Sequence, residues 1–210
     1  VFSTPMPSTS VIQLLGELLL EHFAPRTVIH GTLVDVDGIG IILSGRSGIG
    51  KTEVALDLVE RGHRLVADDA VVVTRQADGI LVGRSNDKLR HNIEIRGVGI
   101  VDVQAMYGIR SIRRKKRVEV VVELVDWSRD LYQERWGLVD DCTEILGEQV
   151  PLVKLAIYPG KSISVIIEVV ALNQLLKICG HHSAQLLTER LNRKKEKMSS
   201  HIRSHHRDFE

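Results

Sequence analysis

The chain has 210 residues, 43% hydrophobic and 26% charged, ordinary values for a globular protein and enough for one domain with a real core. A net charge of +1 gives no global pull toward nucleic acid or membrane. Its two cysteines, Cys142 and Cys179, stand in no metal-like spacing, which argues against a disulfide scaffold and suits a reducing compartment.

The first residue is Val1 rather than Met, which reads as a fragment of a longer protein. Residues 1–10 are rich in Pro, Ser and Thr and read as a linker, followed by an amphipathic helix over Val11–His22 with Ser10 as its cap. Gln13 and Glu17 interrupt its apolar run, Val11–Leu20, and it has no basic leader, so it is neither a membrane span nor a signal peptide; the expected location is the cytoplasm. Pro25 closes this first segment (1–24). Thr27–Val36 is β-branched and reads as one strand. Asp37-Gly38 signals a hairpin leading into an apolar strand, Ile39–Leu43. Gly45-Arg46-Ser47-Gly48-Ile49-Gly50-Lys51-Thr52 follows and fits G-x-x-x-x-G-K-[ST] without mismatch, with an amphipathic helix from about 51 to 61 closed by Gly62. Glycines let successive N–H groups converge on one anion, and the helix N-terminus adds its positive dipole end. Lys51 can reach outer phosphates and the Thr52 hydroxyl can ligate Mg²⁺.

His63–Ala67 reads as a strand ending in Asp68-Asp69, and Ala70–Thr74 and Ile80–Val82 as a second hairpin around Ala77-Asp78-Gly79. Strand ends beside a phosphate loop line the nucleotide crevice. Adjacent strand residues face opposite sides, so one aspartate can serve the γ-phosphate as base or metal partner while the other holds structure; a plain hairpin start is the alternative. His30 is either a packed or surface strand residue or a member of the site. Gly83–Gly99 is polar with little periodicity. Within it, Glu94 and Arg96 read as a site loop with a metal-binding or charge-clamping carboxylate, or as a polar surface strand. Arg110 to Arg117 forms a basic run, either a solvated turn or an anion-binding edge; without interleaved aromatics, neither it nor the basic C-terminal tail suggests nucleic-acid binding. Val118–Val125 and Val150–Ile157 read as strands, Ile163–Cys179 as a helix stopped by Gly180, and Ala184–Lys197 as a last helix before a basic tail (184–210). The fold class expected is α/β: a P-loop-containing mixed sheet with flanking helices, not a simple doubly wound repeat.

Taken together, His30-Gly31, the loop Gly45–Glu53, Arg61-Gly62-His63-Arg64-Leu65-Val66-Ala67-Asp68-Asp69 and Glu94-Ile95-Arg96-Gly97-Val98-Gly99-Ile100 resemble the HPr kinase/phosphorylase family from about Arg26 to Cys179. The resemblance implies a catalytic domain (25–183) with a core like the nucleotide-binding part of phosphoenolpyruvate carboxykinase, preceded in the family by a separate domain. It implies an enzyme that phosphorylates a serine of the phosphocarrier HPr with ATP or pyrophosphate and Mg²⁺, removes that phosphate with inorganic phosphate, and assembles as a homohexamer. By motif position, Asp68 would be the base, with His30 beside it and Asp69 in support. Lys51 would neutralise phosphate charge, and Thr52 and Glu94 would hold Mg²⁺. Arg135 would be an active-site arginine, and Arg96 and Lys161 would belong to segments tied to phosphorolysis and the HPr contact. The chain departs from the pattern at Arg46, where the family usually has an acidic residue, at the bulkier segment Tyr107–Arg113, and in its long basic tail. A non-catalytic nucleotide sensor and a small-molecule kinase are the rival readings; retention of His30, Asp68 and Glu94 together disfavours the first.

Overall fold

Hydrophobic alternation along the strands sorts the chain into three layers. The computed structural model describes residues 3–86, 90–127, 141–158, 160 and 162–180. Its elements in order are α1 (Ser8–Phe23), β1 (Arg26–His30), β2 (Thr32–Val36), β3 (Ile39–Ser44), α2 (Lys51–Glu60), β4 (Arg64–Ala67), β5 (Ala70–Arg75), β6 (Leu81–Ser85), β7 (Asn92–Ile95), β8 (Gly99–Asp102), α3 (Val103–Tyr107), β9 (Lys115–Arg117), β10 (Val120–Asp126), β11 (Cys142–Ile145), β12 (Glu148–Ile157) and α4 (Ile163–Ile178). A six-stranded sheet in the order β11-β12-β10-β3-β2-β4 lies between helices and a four-stranded sheet, β1-β5-β6-β9; β7 and β8 form a separate hairpin. In the larger sheet β10 is parallel to both β3 and β12, whereas β2 and β11 run antiparallel to their neighbours. The expected mixed α/β architecture is what the chain forms.

The period-2 pattern explains the layering. From β2 and β3, Val34, Val36, Ile39, Ile41 and Leu43 face the helix layer, where they meet Ala55, Leu58 and Val59 of α2 and Ile167 and Ala171 of α4. Leu33 and Ile42 face the other way, onto Val71, Val73 and Leu81 of the four-stranded sheet. Every residue of β2 is buried, as expected for a strand covered on both faces. Truncating one of these side chains, such as Leu58 to Ala, would cost about 2–5 kcal/mol. Gly40 has no room for a side chain: a Cβ there would overlap the Arg117 carbonyl of β9.

Several expected boundaries move. The first helix begins at Ser8, so Ser10 lies inside it, and Pro7 occupies the cap position without a side-chain hydrogen bond. The single strand expected over Thr27–Val36 is two strands in two different sheets, broken at Gly31. There the backbone comes so close to β3 that a Cβ would stand 2.5 Å from the Leu43 carbonyl oxygen. The polar stretch Gly83–Gly99 contains more structure than its weak periodicity suggested: β6 runs on to Ser85, and Glu94 lies on the polar strand that was the alternative to a site loop, exposed on β7 of the β7–β8 hairpin beside the buried Ile93. Strand β11, which pairs antiparallel with β12, was not anticipated. The basic run splits: Arg113 Nη1 donates to Asp35 at 2.6 Å, and Lys116 Nζ lies 3.0 Å from Glu119, leaving exposed cations around them. The helix expected over 184–197 and the tail lie outside the described residues. No helix among the described residues is long and apolar enough to cross a membrane.

Candidate functional site

The site is assembled where two chain segments change sheets side by side. At Gly31 the chain leaves the four-stranded sheet (β1) for the six-stranded one (β2); at Asp68-Asp69 it returns from β4 to β5. The corners are stitched together: Gly31 N–H donates to the Asp69 carbonyl at 3.1 Å, and Ala70 N–H turns back onto the Asp68 carbonyl at 2.7 Å. Asp69 takes the left-handed conformation (φ 63°) that makes the corner, which an Asp tolerates better than most residues.

The corner sends the two carboxylates in different directions. Asp68 is buried, at 6% exposure, and Asp69 is exposed. Asp68 Oδ1 accepts a 2.6 Å hydrogen bond from the fully buried Thr32 hydroxyl, and both its oxygens receive the Thr52 hydroxyl at 3.2 Å. Burial raises its pKa above the ordinary 3.8 by disfavouring the charged form; the bonds from Thr32 and Thr52 oppose that shift without cancelling it. His30 was expected beside Asp68 but pairs with Asp69. Its Nδ1 donates to the Asp69 carbonyl at 3.0 Å and lies 3.2 Å from the Asp69 carboxylate, with both side chains largely in solvent. The reason is topological: His30 ends β1, paired with Ala70, so it sits over the corner rather than inside it, and β2, not β1, flanks the loop strand.

The glycine-rich loop joins β3 to α2, as expected. Gly45, Gly48 and Gly50 all have positive φ, and Gly45 is pressed against β10: a Cβ would stand 2.5 Å from the Leu124 carbonyl oxygen. No side chain caps the N-terminus of α2, whose first N–H groups therefore face the loop interior unspent by a cap. Lys51 is buried, and its Nζ donates to the carbonyls of Gly45 (2.9 Å) and Arg46 (3.1 Å), tying the loop closed. Arg46 reaches sideways: Nε and Nη2 make a bidentate pair with Asp126 at the end of β10, at 2.7 and 2.9 Å, and hold that carboxyl below its usual range. Arg96, at the tip of the β7–β8 hairpin, lies against Gly48, its guanidinium 2.8–3.1 Å from where a Cβ would project.

The geometry thus brings together residues 45–52, Asp68 and Arg96, with His30 and Asp69 one step outside. Glu94 is exposed on β7, a strand that packs against α2. Arg135 and Lys161 lie outside the described residues. Thr32 and Asp126 were missed by sequence reasoning; the one available signal for Thr32 was a hydroxyl at the start of a strand that is buried along its whole length. Among the described residues no three His, Cys, Asp or Glu side chains gather into a metal site. Thr52 and the neighbouring carboxylates offer only hard oxygen donors, and few of them. That suits Mg²⁺, which keeps waters and phosphate oxygens as most of its ligands.

Fold and site together define a mixed α/β domain in which a glycine-rich strand-to-helix loop meets a buried, hydroxyl-bonded carboxylate. Known proteins agree. The family model for the HPr Serine kinase C-terminal domain matches residues 21–191. The HPr kinase/phosphorylase of Prosthecochloris aestuarii is 53% identical over 194 residues, covering 92% of this chain and 57% of the relative. That of Chlorobium phaeobacteroides strain BS1 is 54% identical over 191 residues, covering 90% and 56%. The solved Hpr(Ser) kinase/phosphatase of Coxiella burnetii superposes with a TM-score of 0.63 at 28% identity, over 72% of this chain and 98% of that one. The chain belongs to the HPr Serine kinase C-terminal domain family, and it spans about 57% of the length of the curated relatives it matches.

Proposed function

We propose that residues 25–183 form a catalytic domain of an HPr kinase/phosphorylase. It transfers a phosphoryl group from ATP or pyrophosphate to a serine of HPr and removes it by phosphorolysis with inorganic phosphate. The observation that carries this reading is the contact between Asp68 and Thr52: a buried carboxylate touches the first-turn hydroxyl of the helix that the G-x-x-x-x-G-K-[ST] loop opens. A carboxylate there can partner a metal on Thr52, and its burial also places it to take a proton from an acceptor hydroxyl brought to the loop.

Each residue's part follows from its surroundings. The loop N–H groups and the α2 N-terminus receive the polyphosphate, as in P-loop proteins and the phosphoenolpyruvate carboxykinase core. Lys51, whose Nζ sits inside the loop on the Gly45 and Arg46 carbonyls, supplies a cation for phosphate oxygens there. Arg96 closes the loop from the hairpin side. Thr52 and Glu94 would hold Mg²⁺, which when bound supplies charge neutralisation at the phosphate oxygens. Asp68 accepts the serine proton in the forward direction and returns it in phosphorolysis. Thr32 fixes the orientation of that carboxylate, so its free lone pairs face the acceptor rather than rotating away. His30 acts on Asp68 only through Asp69 and the corner backbone. Arg135 as a charge-stabilising arginine, Lys161 in the HPr contact, a homohexameric assembly, a cytoplasmic location and a lack of nucleic-acid or membrane partners belong to the same proposal, on the family resemblance.

The test is incubation with HPr, Mg²⁺ and ATP or pyrophosphate, followed by mass spectrometry and then addition of phosphate. Gain of one phosphoryl group on an HPr serine, lost again with pyrophosphate release, is expected. Transfer to a small metabolite with HPr untouched would favour a small-molecule kinase and overturn the reading.

A further inference from the structure

The C-terminal ends of β3, β10 and β12 share one edge, because the three strands are parallel and in register: Glu123 is opposite Ser44, and Asp126 opposite Ile157. The glycine-rich loop rises from that edge and is bounded by β10, with Gly45 against the Leu124 carbonyl. Asp126 therefore stands two residues past the point where the loop leaves the sheet, on the side where an anion would lie. An isolated carboxylate there would repel polyphosphate. Among the described residues, Arg46, within the loop, is the one whose side chain bonds that carboxylate, through two hydrogen bonds. Meanwhile Lys51 anchors the Arg46 carbonyl from the inside. The start of the loop is thus held from both sides, and its extra cation is turned away along the sheet edge.

We propose that Asp126 and Arg46 form a charge latch that sets the loop's affinity for polyphosphate, Asp126 being a positioning residue that withholds the Arg46 guanidinium from the bound anion. This rests on the reading of loop 45–52 as a polyphosphate site. Paired, the two residues add no net charge at the mouth. Unpaired, each pushes affinity in the opposite direction. A balanced mouth suits a site that must release pyrophosphate as well as bind it.

The experiment is calorimetric titration of the whole chain with inorganic pyrophosphate, and separately with ATP, in low and high salt. Both side chains are exposed, so the variants should fold; circular dichroism checks it. In ~50 mM salt Asp126→Asn should bind pyrophosphate about three- to tenfold more tightly than wild type, and Arg46→Gln more weakly by a similar factor. The double variant Arg46→Gln/Asp126→Asn should fall within about twofold of wild type, and all the differences should shrink in ~0.5 M salt. A pair that merely propped the loop would make both single variants bind more weakly, with little dependence on salt; that result, or an unchanged Asp126→Asn, overturns the latch while leaving the site intact. Failure of wild type to bind either ligand instead overturns the polyphosphate reading itself, and the latch with it.

Discussion

Thr32→Val tests the central contact with little change of shape, since Val puts a methyl where the Thr hydroxyl was and so removes the donor. Thr32 is fully buried, and its 2.6 Å bond to Asp68 is short and made to a group that must be ionised to act as a base. A hydrogen bond to a charged group is worth about 1.5–3 kcal/mol. The bond lowers the Asp68 pKa against a larger push upward from burial. Removing it therefore lets the pKa rise further, and the acid limb of the phosphoryl-transfer rate moves to higher pH. On that limb, each ~1.4 kcal/mol lost is a tenfold drop in ionised base, so about 10- to 100-fold slower transfer is expected, recovering as pH rises. Thr32→Ser should restore the wild-type profile. The assay is initial-rate transfer to HPr across pH, with ATP affinity measured alongside. A folded Thr32→Val protein whose acid limb has not moved would refute the claim that this hydroxyl tunes Asp68.

Asp68→Asn should slow transfer by about 100- to 10,000-fold while ATP still binds. The same variant carries a stability prediction. The native state holds the Asp68 proton above the ordinary 3.8, so this group favours the fold in acid, and that benefit is lost as pH rises through the raised pKa. The thermal midpoint of Asp68→Asn at neutral pH should therefore be no lower than wild type, and a large drop would contradict the assignment of burial as the cause. Lys51→Ala should weaken ATP binding by calorimetry; unchanged affinity would count against the loop as a phosphate site. His30→Ala should alter stability by less than about 1 kcal/mol, because its pair with Asp69 is exposed, and urea unfolding measures this. Gly40→Ala should destabilise by about 1–3 kcal/mol or more, since its Cβ would have to displace the Arg117 backbone as well as the Lys116 side chain; a melt indistinguishable from wild type would show that β9 yields freely.

Local signals were enough to read the loop, the helix it opens and the Asp68-Asp69 strand end, because each depends on residues within about ten positions of one another. The Asp37-Gly38 turn and the hairpin around Asp78-Gly79 were legible for the same reason: their positive φ angles are turn chemistry written into the dipeptide. Residues 26–36 misled because β-branched composition reports extended backbone but not which sheet receives it. Gly31 marked the break only once β3 was known to pass beside it.

What the chain determined by itself is the chemistry on offer: a cradle of glycines with Lys51 and Thr52, and a carboxylate pair one strand later. Only the tertiary structure decided which carboxylate is buried, that Thr32 reaches Asp68 across 36 residues, that His30 attends Asp69 instead, and that Arg46 is claimed by Asp126 from 80 residues away. The physical reason is that pKa, orientation and charge balance depend on burial and on partners. Both are set by which strands share an edge, a property no single segment carries.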